Sequence, residues 1–394
     1  METQKHSVIV IGGSVGGLRS AWLLSKKSEY DVTLLSKKKS FDHNTSLYRN
    51  KNGRSKRHVS IPLDKVFGTR RHRIDLVRAE ASLVDPITRT VRTTKGIKYP
   101  YDSLIIALEG ESRMPHGIDS SITHNAYSSG DMNELRRQLI GEFEAGQPEG
   151  NYVVIGGGQT GVEIVYELKM HMDSLAKRYN RRSDKYRILI VERSDNLVPR
   201  ASSNISSRLS RRLNRHGIEV LLEQEVSKVR KGSLIFSDNS SIQTNTVILA
   251  AGQRANHFFA DNNDVFLLGQ GGFVRVNSLQ EAEGYNNIYV IGNSKESDYE
   301  LNTSGKIYDA EYVCDVLEAK RTGHELRDYD PPAFMTSLHL GKMWGVYETI
   351  DRAYFGRKAW ILKRWLDRGH FSTLLPIRLW FVAWVFGTRH DEIY

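Results

Sequence analysis

Short, continuously apolar runs alternate along this chain with segments whose apolar residues recur at helical spacing. Val8-Ile9-Val10-Ile11 is such a run, and Leu18, Ala21, Trp22 and Leu24 then mark one face of a helix. The pattern predicts a strand over 7–11, a helix over 15–27 and a strand over 31–35. The basic, polar stretch from Lys37 to His58 reads as loop. Further strands are expected over 74–79, 82–85 and 90–93, with Thr94-Lys95-Gly96 as a turn. Leu104-Ile105-Ile106-Ala107 has no polar interruption, the mark of a strand covered on both faces. The strand–helix–strand order then returns at 153–155, from about Thr160, and at 188–192, with strands at 219–222 and 246–250. Gly252-Gln253-Arg254 reads as the turn that closes this second unit. A strand at 287–293 and a helix over 304–320 lead back to the first.

The two strand-to-helix junctions carry the chemistry. The first reads Gly12-Gly13-Ser14-Val15-Gly16-Gly17, the second Gly156-Gly157-Gly158-Gln159-Thr160-Gly161. Glycines let the backbone turn sharply and approach a pyrophosphate, while the following helix points its unpaired N–H groups and positive dipole end at that anion. Two such turns in one chain imply two dinucleotides, between which electrons can pass. Glu192 ends the second strand of the second unit, where a carboxylate accepts ribose hydroxyls and repels a 2′-phosphate. Arg193 beside it weakens that discrimination, and a solvated strand end is the alternative reading of Glu192. The expected fold is therefore α/β, with two nested Rossmann-like dinucleotide-binding domains. Residues 1–118 and 257–330 form the first, and 119–256 are inserted as the second.

Composition narrows the chemistry. Among 394 residues there is one cysteine, Cys314, which excludes an internal disulfide and any CxxC redox pair, so electron transfer needs a cofactor. No spacing of metal ligands stands out, and no metal is expected. The formal charge of +10 reads either as solubility or as attraction to an anionic surface. With no zinc-finger or ribonucleoprotein motif, nucleic acid is not the expected partner. A leader peptide and a membrane-spanning run are both absent from the pattern.

Beyond Pro331-Pro332 the chain changes character. Residues 333–394 hold Trp344, Trp360, Trp365, Trp380 and Trp384, five of the six tryptophans. Arg357, Lys358, Lys363, Arg364 and Arg368 interleave with aromatic and aliphatic residues, and Leu374 to Phe386 is almost wholly apolar. Such a segment suits an amphipathic helix lying in the membrane interface, so 331–394 is expected to be a C-terminal membrane-anchoring segment. A docking or homodimer helix is the alternative.

At these residues the chain resembles the type II NADH dehydrogenases, single-chain NADH:quinone oxidoreductases, over nearly its whole length. The most specific part is 153–256: Gly156-Gly157-Gly158-Gln159-Thr160-Gly161-Val162-Glu163 is close to the family's Gly-Gly-Gly-Pro-Thr-Gly-Val-Glu. Val191-Glu192-Arg193 through Leu197-Val198-Pro199, Ala250-Ala251-Gly252-Gln253-Arg254-Ala255-Asn256 and the tryptophan-rich tail are similar too. The resemblance implies FAD on the first unit, NAD(H) on the second and a membrane quinone as acceptor; with the basic, tryptophan-rich tail, the expected place is peripheral, on the cytoplasmic face of the membrane against anionic lipid. It places Glu163 near the nicotinamide–flavin junction.

The first unit departs from the family pattern. Ser14 replaces a glycine, Ser36 stands where an acid usually holds the adenosine ribose, and Ala107-Leu108-Glu109-Gly110 replaces Ala-Thr-Gly. Gly292-Asn293 replaces the Gly-Asp that bonds the ribityl chain. In the next helix Lys306 and Tyr308 stand in a segment without the family's paired glutamines, and are candidates to replace them over the flavin. That helix and Ser40-Phe41-Asp42-His43-Asn44 are also similar to apoptosis-inducing-factor-like quinone reductases. Two other readings stay open: a flavin-poor NAD(H)-binding membrane sensor or scaffold, and a soluble ferredoxin or rubredoxin reductase-like flavoenzyme.

Overall fold

Parallel strands built from the apolar runs form two five-stranded sheets. The computed structural model describes residues 5–42, 60–67, 73–112, 117–146, 148–297, 302–332, 335–341 and 343–374. In the first sheet the order is Ile288–Val290, Ser103–Ile106, His6–Ile11, Tyr30–Leu35, Ile74–Val77. In the second it is Thr123–Asn125, Thr246–Leu249, Gly150–Ile155, Tyr186–Val191, Ile218–Leu221. Every pairing in both sheets is parallel. The second sheet lies wholly between two strands of the first along the chain, which is the nesting expected of two Rossmann-like units.

Alternate residues of each central strand face different layers, the period-two consequence of the pleat. Val8 and Val10 pack under helices Val15–Leu24 and Thr303–Thr322, against Leu18, Ala21, Ala310 and Val313. Ile9 and Ile11 face Phe258, Phe259 and Phe266 on the other side. In the second unit Tyr152 and Val154 lie under helices Ser129–Ala145, Gln159–Arg178 and Ser203–Arg215. Val153 and Ile155 face the antiparallel strands Val226–Arg230 and Ser233–Phe236.

Three expectations change. Part of the predicted loop after Lys37 is strand, since Ser40–Asp42 pairs antiparallel with Ser60–Pro62; His43 and Asn44 lie outside the described residues. Gln253–Arg254 is more than a turn: it pairs antiparallel with Glu111–Ser112 and so ties the two units together. The segment after Pro332 is not a separable appendage. Strands Ser337–His339, Gly345–Glu348 and Ala353–Gly356 form a sheet whose Leu338, Leu340 and Val346 belong to the core of the second unit. Helix Arg357–Leu374 follows, and its Leu374 is buried in the core of the first unit. The rest of the apolar run, with Trp380 and Trp384, lies outside the described residues. No helix among the described residues is long and apolar enough to cross a membrane.

Candidate functional site

Both glycine turns are one device built twice. Gly12 and Gly156 open them at φ of 112° and 108°, a region that L side chains rarely adopt. A Cβ on Gly17 would overlap the Gly12 carbonyl, and a Cβ on Gly161 the Gly156 carbonyl, so helix and strand approach as closely as backbone allows. Ala107 and Ala250, each just past the strand beside its turn, close the opposite wall.

The turns differ where they would meet a nucleotide. Ser14 caps helix Val15–Leu24: its Oγ accepts the Gly17 N–H at 3.4 Å and donates to the Ala107 carbonyl at 2.7 Å. Gly158 caps the matching helix with no side chain, and the space where a Cβ would stand is open. Gly13 and Gly157 occupy equivalent places. A Cβ on Gly13 would lie 2.9 Å from Ser36 Oγ, and one on Gly157 2.8 Å from Glu192 Cβ. Ser36 and Glu192 thus stand at the same point of the two units. The Glu192 carboxylate is buried and accepts the Gly157 N–H at 2.6 Å and the Ser194 N–H at 2.9 Å. It is therefore no solvated strand end. Each oxygen keeps a second lone pair for an incoming hydroxyl. Among the described residues, Ser36 Oγ bonds only backbone of its own turn, accepting the Lys38 N–H at 3.2 Å. Carboxylates nearby come from Glu80 and Glu109, which pair with Lys37 and Lys38.

The junction between the units is held by polar contacts. Asn293 Nδ2 donates to Gln253 Oε1 at 3.0 Å, just past Gly252 with its φ of 64°. The Gly292 N–H donates to Asp309 Oδ2 at 2.9 Å. Asp309 Oδ1 in turn accepts from Lys295 Nζ at 3.0 Å and from the Tyr329 hydroxyl at 2.6 Å. Lys295 and Asp309 are 5% and 0% exposed, so this is a buried ion pair. Burial pushes the lysine pKa down, and Asp309 opposes that shift. Nothing local in the sequence marks these partners.

Lys306 and Tyr308 are not brought together. Residues two apart on a helix point to different sides. Lys306 lies at the junction: its Cγ is 3.8 Å from where a Cβ on Gly292 would stand, and its carbonyl 3.6 Å from one on Gly16. The Tyr308 hydroxyl instead accepts the Asp330 N–H at 3.0 Å, and its ring packs on Tyr312 and Tyr329. Glu163 is buried near the start of helix Gln159–Arg178 and accepts the His339 N–H at 2.8 Å. Cys314 is buried and its thiol is pushed up to about 12, so it does not act as a nucleophile. Among the described residues no group of metal-binding side chains occurs.

The residues present fit two dinucleotides: two glycine cradles that a Cβ would obstruct, each opening a helix, with an acid only in the second. Comparison with known proteins agrees. The pyridine nucleotide-disulphide oxidoreductase family model matches residues 6–304. The type II NADH:quinone oxidoreductase of Staphylococcus epidermidis is 24% identical over 395 residues, covering 93% of this chain and 95% of that one. A type II NADH:quinone oxidoreductase of Mycobacterium tuberculosis is 24% identical, covering 91% of this chain and 82% of its own. The NDH2 of Plasmodium falciparum, solved in complex with NADH, superposes with a TM-score of 0.83 at 16% identity over 98% of this chain and 100% of that one. The sulfide:quinone oxidoreductase of Aquifex aeolicus has a TM-score of 0.79 at 17% identity, covering 98% and 96%.

Proposed function

The chain belongs to the pyridine nucleotide-disulphide oxidoreductase family, and from that premise we propose that it is an FAD-dependent type II NADH:quinone oxidoreductase working at a membrane surface. One observation carries the reading. Two turns of the same build sit on two parallel sheets, and the pairing of Gln253–Arg254 with Glu111–Ser112 joins the two units beside Asn293. FAD would be held by Gly12, Gly13, Ser14, Gly16 and Gly17, with Ser36, Ala107, Gly292 and Asn293 completing its site. NADH would be held by Gly156, Gly157, Gly158, Thr160, Gly161 and Gly252, with Glu192 for the ribose. When bound, FAD would supply the hydride-accepting ring between NADH and a quinone.

The protein positions and shields these groups. Glu192 accepts ribose hydroxyls with its remaining lone pairs, and its charge repels a 2′-phosphate. Asn293 keeps its carbonyl oxygen as an acceptor while its amide holds Gln253. The Lys295–Asp309 pair fixes Gly292, and thereby the backbone under the junction. Lys306 supplies a cation on the acceptor side. Glu163 acts at the nicotinamide end, its carboxylate oriented by the His339 N–H.

Helix Arg357–Leu374 supports the membrane part of the reading. Ile361 and Trp365 are 41% and 59% exposed. The Arg364 and Arg368 guanidiniums lie 4.8 Å and 5.0 Å from the ring centroids of Trp360 and Trp365. Tryptophan beside arginine at a surface suits the headgroup region of anionic lipid, on the cytoplasmic face.

The test is steady-state kinetics with a water-soluble quinone, comparing NADH with NADPH in the wild type and in Glu192→Ala. NADH is favoured in the wild type, and the variant lowers that preference about tenfold to a hundredfold. Equal use of both cofactors by the wild type contradicts the assignment of Glu192.

A further inference from the structure

Helix Arg357–Leu374 is inside out for a helix that only completes a core. Its outward stripe carries Ile361 and Trp365, whereas its inward stripe carries Ala359, Lys363, Asp367, His370 and Leu374. Lys363 and Asp367 are 4% and 3% exposed, with Lys363 Nζ 3.5 Å from Asp367 Oδ1. Burying an ion pair costs several kcal/mol of desolvation per ion that apolar side chains would not incur. Turning a tryptophan outward forgoes burial as well. Packing alone predicts the reverse arrangement.

The inward stripe leads to the junction. One turn beyond Asp367, His370 Nε2 lies 2.8 Å from Ser304 Oγ. At the next turn the Thr373 carbonyl accepts from Arg19 Nη1 at 3.1 Å, which docks the helix end on helix Val15–Leu24. Ser304 belongs to the first turn of helix Thr303–Thr322, two residues before Lys306, and Lys306 lies against Gly16 and Gly292. The polar stripe therefore ends where the first glycine turn, the Gly292-Asn293 bend and the start of this helix meet.

Stoichiometry gives that stripe a task. NADH delivers a hydride, two electrons and one proton, while a quinone becomes a hydroquinone by taking two electrons and two protons. One proton per turnover must come from solvent and reach the acceptor.

We propose that His370 and Ser304 hand that proton to the bound quinone, an inference that rests on the NADH:quinone reading above. His370 takes a proton at Nδ1 and releases one from Nε2 to Ser304 Oγ, which releases its own to the reduced acceptor oxygen. Loss of the Nε2 proton leaves the imidazole neutral with its hydrogen on Nδ1, and return to the Nε2–H tautomer resets it, so charge and atoms balance. A relay of this kind needs a neutral imidazole at working pH. Burial supplies it, pushing His370 down to about 4, with Lys363 in the same direction and Asp367 opposing. From the neighbouring helices, Arg19 reaches the Thr373 carbonyl, three residues beyond His370, and pairs with Glu311.

The test uses the full chain with bound FAD and the variants His370→Gln and Ser304→Ala. Glutamine keeps a hydrogen bond to Ser304 but cannot take a proton at one atom and release it from another. Ferricyanide takes up electrons without a proton, so it reports the NADH side alone. Each variant is expected to lower kcat with a water-soluble quinone by about 10–100-fold and to change the ferricyanide rate by less than about twofold. The solvent deuterium isotope effect on quinone reduction should change with the variants. In flavin-free protein, histidine NMR should show one imidazole, absent from His370→Gln, that stays neutral down to about pH 5. Equal loss with both acceptors, or no loss with either, overturns the relay, as does an imidazole at this position that titrates near its ordinary value. A wild type active with ferricyanide but not with any quinone overturns the relay and the quinone part of the parent reading. A wild type inactive with both overturns the parent reading and the relay with it.

Discussion

Glu163 Oε1 accepts the backbone N–H of His339 at 2.8 Å, across 176 residues of chain. The helix that opens at the second glycine turn is thereby tied to the C-terminal sheet. Both residues are buried, so losing this bond leaves a desolvated amide without its acceptor. Glu163→Ala should lower stability by about 1–3 kcal/mol. Glu163→Gln, which keeps an oxygen for the amide, should lower it by less than half as much. Denaturant titration of the two variants measures the difference. An alanine variant as stable as the wild type would show that this contact does not hold the sheet.

The same tie governs where the chain can be cut. Deleting 333–394 removes Leu338, Leu340 and Val346, all 0% exposed, from the core of the second unit. Each buried leucine lost costs about 2–5 kcal/mol, so the product should not fold. Deleting only 375–394 keeps every one of those core residues and the whole of helix Arg357–Leu374 in the chain. This shorter deletion should yield folded protein with weaker binding to anionic vesicles and unchanged oxidation of NADH by ferricyanide. Folded, soluble protein from the longer deletion would contradict the assignment of these residues to the core.

Ser36 occupies in the first unit the point that Glu192 occupies in the second. Its hydroxyl can make one charge-free bond where a carboxylate makes two charge-assisted ones. Ser36→Glu should therefore tighten FAD binding by about tenfold, one to two kcal/mol of added hydrogen bonding. Titrating flavin-free protein with FAD and following the quenching of flavin fluorescence gives both affinities. Unchanged or weaker affinity in the variant would place the adenosine ribose elsewhere.

His370 also sets a pH dependence of stability. Its value in the folded chain is about 4, against an ordinary value of 6.5. Between these the unfolded chain binds the extra proton, so stability rises with pH through this window and falls on acidification. Going from pH 7 to pH 5 should cost the wild type about 2 kcal/mol more than His370→Gln, in which this group is absent. Thermal or denaturant unfolding of both proteins at the two pH values tests it. The same acid sensitivity in both would mean that His370 is not buried as a neutral group.

What could be read from the sequence was what is local. The glycine turns announce themselves because a tight bend and a close helix approach need glycine at fixed offsets. Leu104–Ala107 and the other apolar runs announce parallel strands because both faces are covered. Helix Ser203–Arg215 hides its stripe of Ile205, Leu209 and Leu213 among four arginines and several serines. The Lys295–Asp309 pair, Glu163 with His339, and His370 with Ser304 join residues from different elements, and no periodicity marks such partners. Lys306 and Tyr308 were separable in principle: residues two apart on a helix cannot cover one ring. The inward polar stripe of helix Arg357–Leu374 is not legible in the sequence because its amphipathic pattern is the same whichever face is buried.

The measurement that bears most directly on the two-dinucleotide account is the visible spectrum of purified protein under anaerobic conditions. Flavin bands near one FAD per chain, held without a covalent link, are expected. They should bleach on adding NADH and return on adding a quinone. Protein that stays colourless after incubation with FAD, or flavin bands that NADH leaves unchanged, would contradict it.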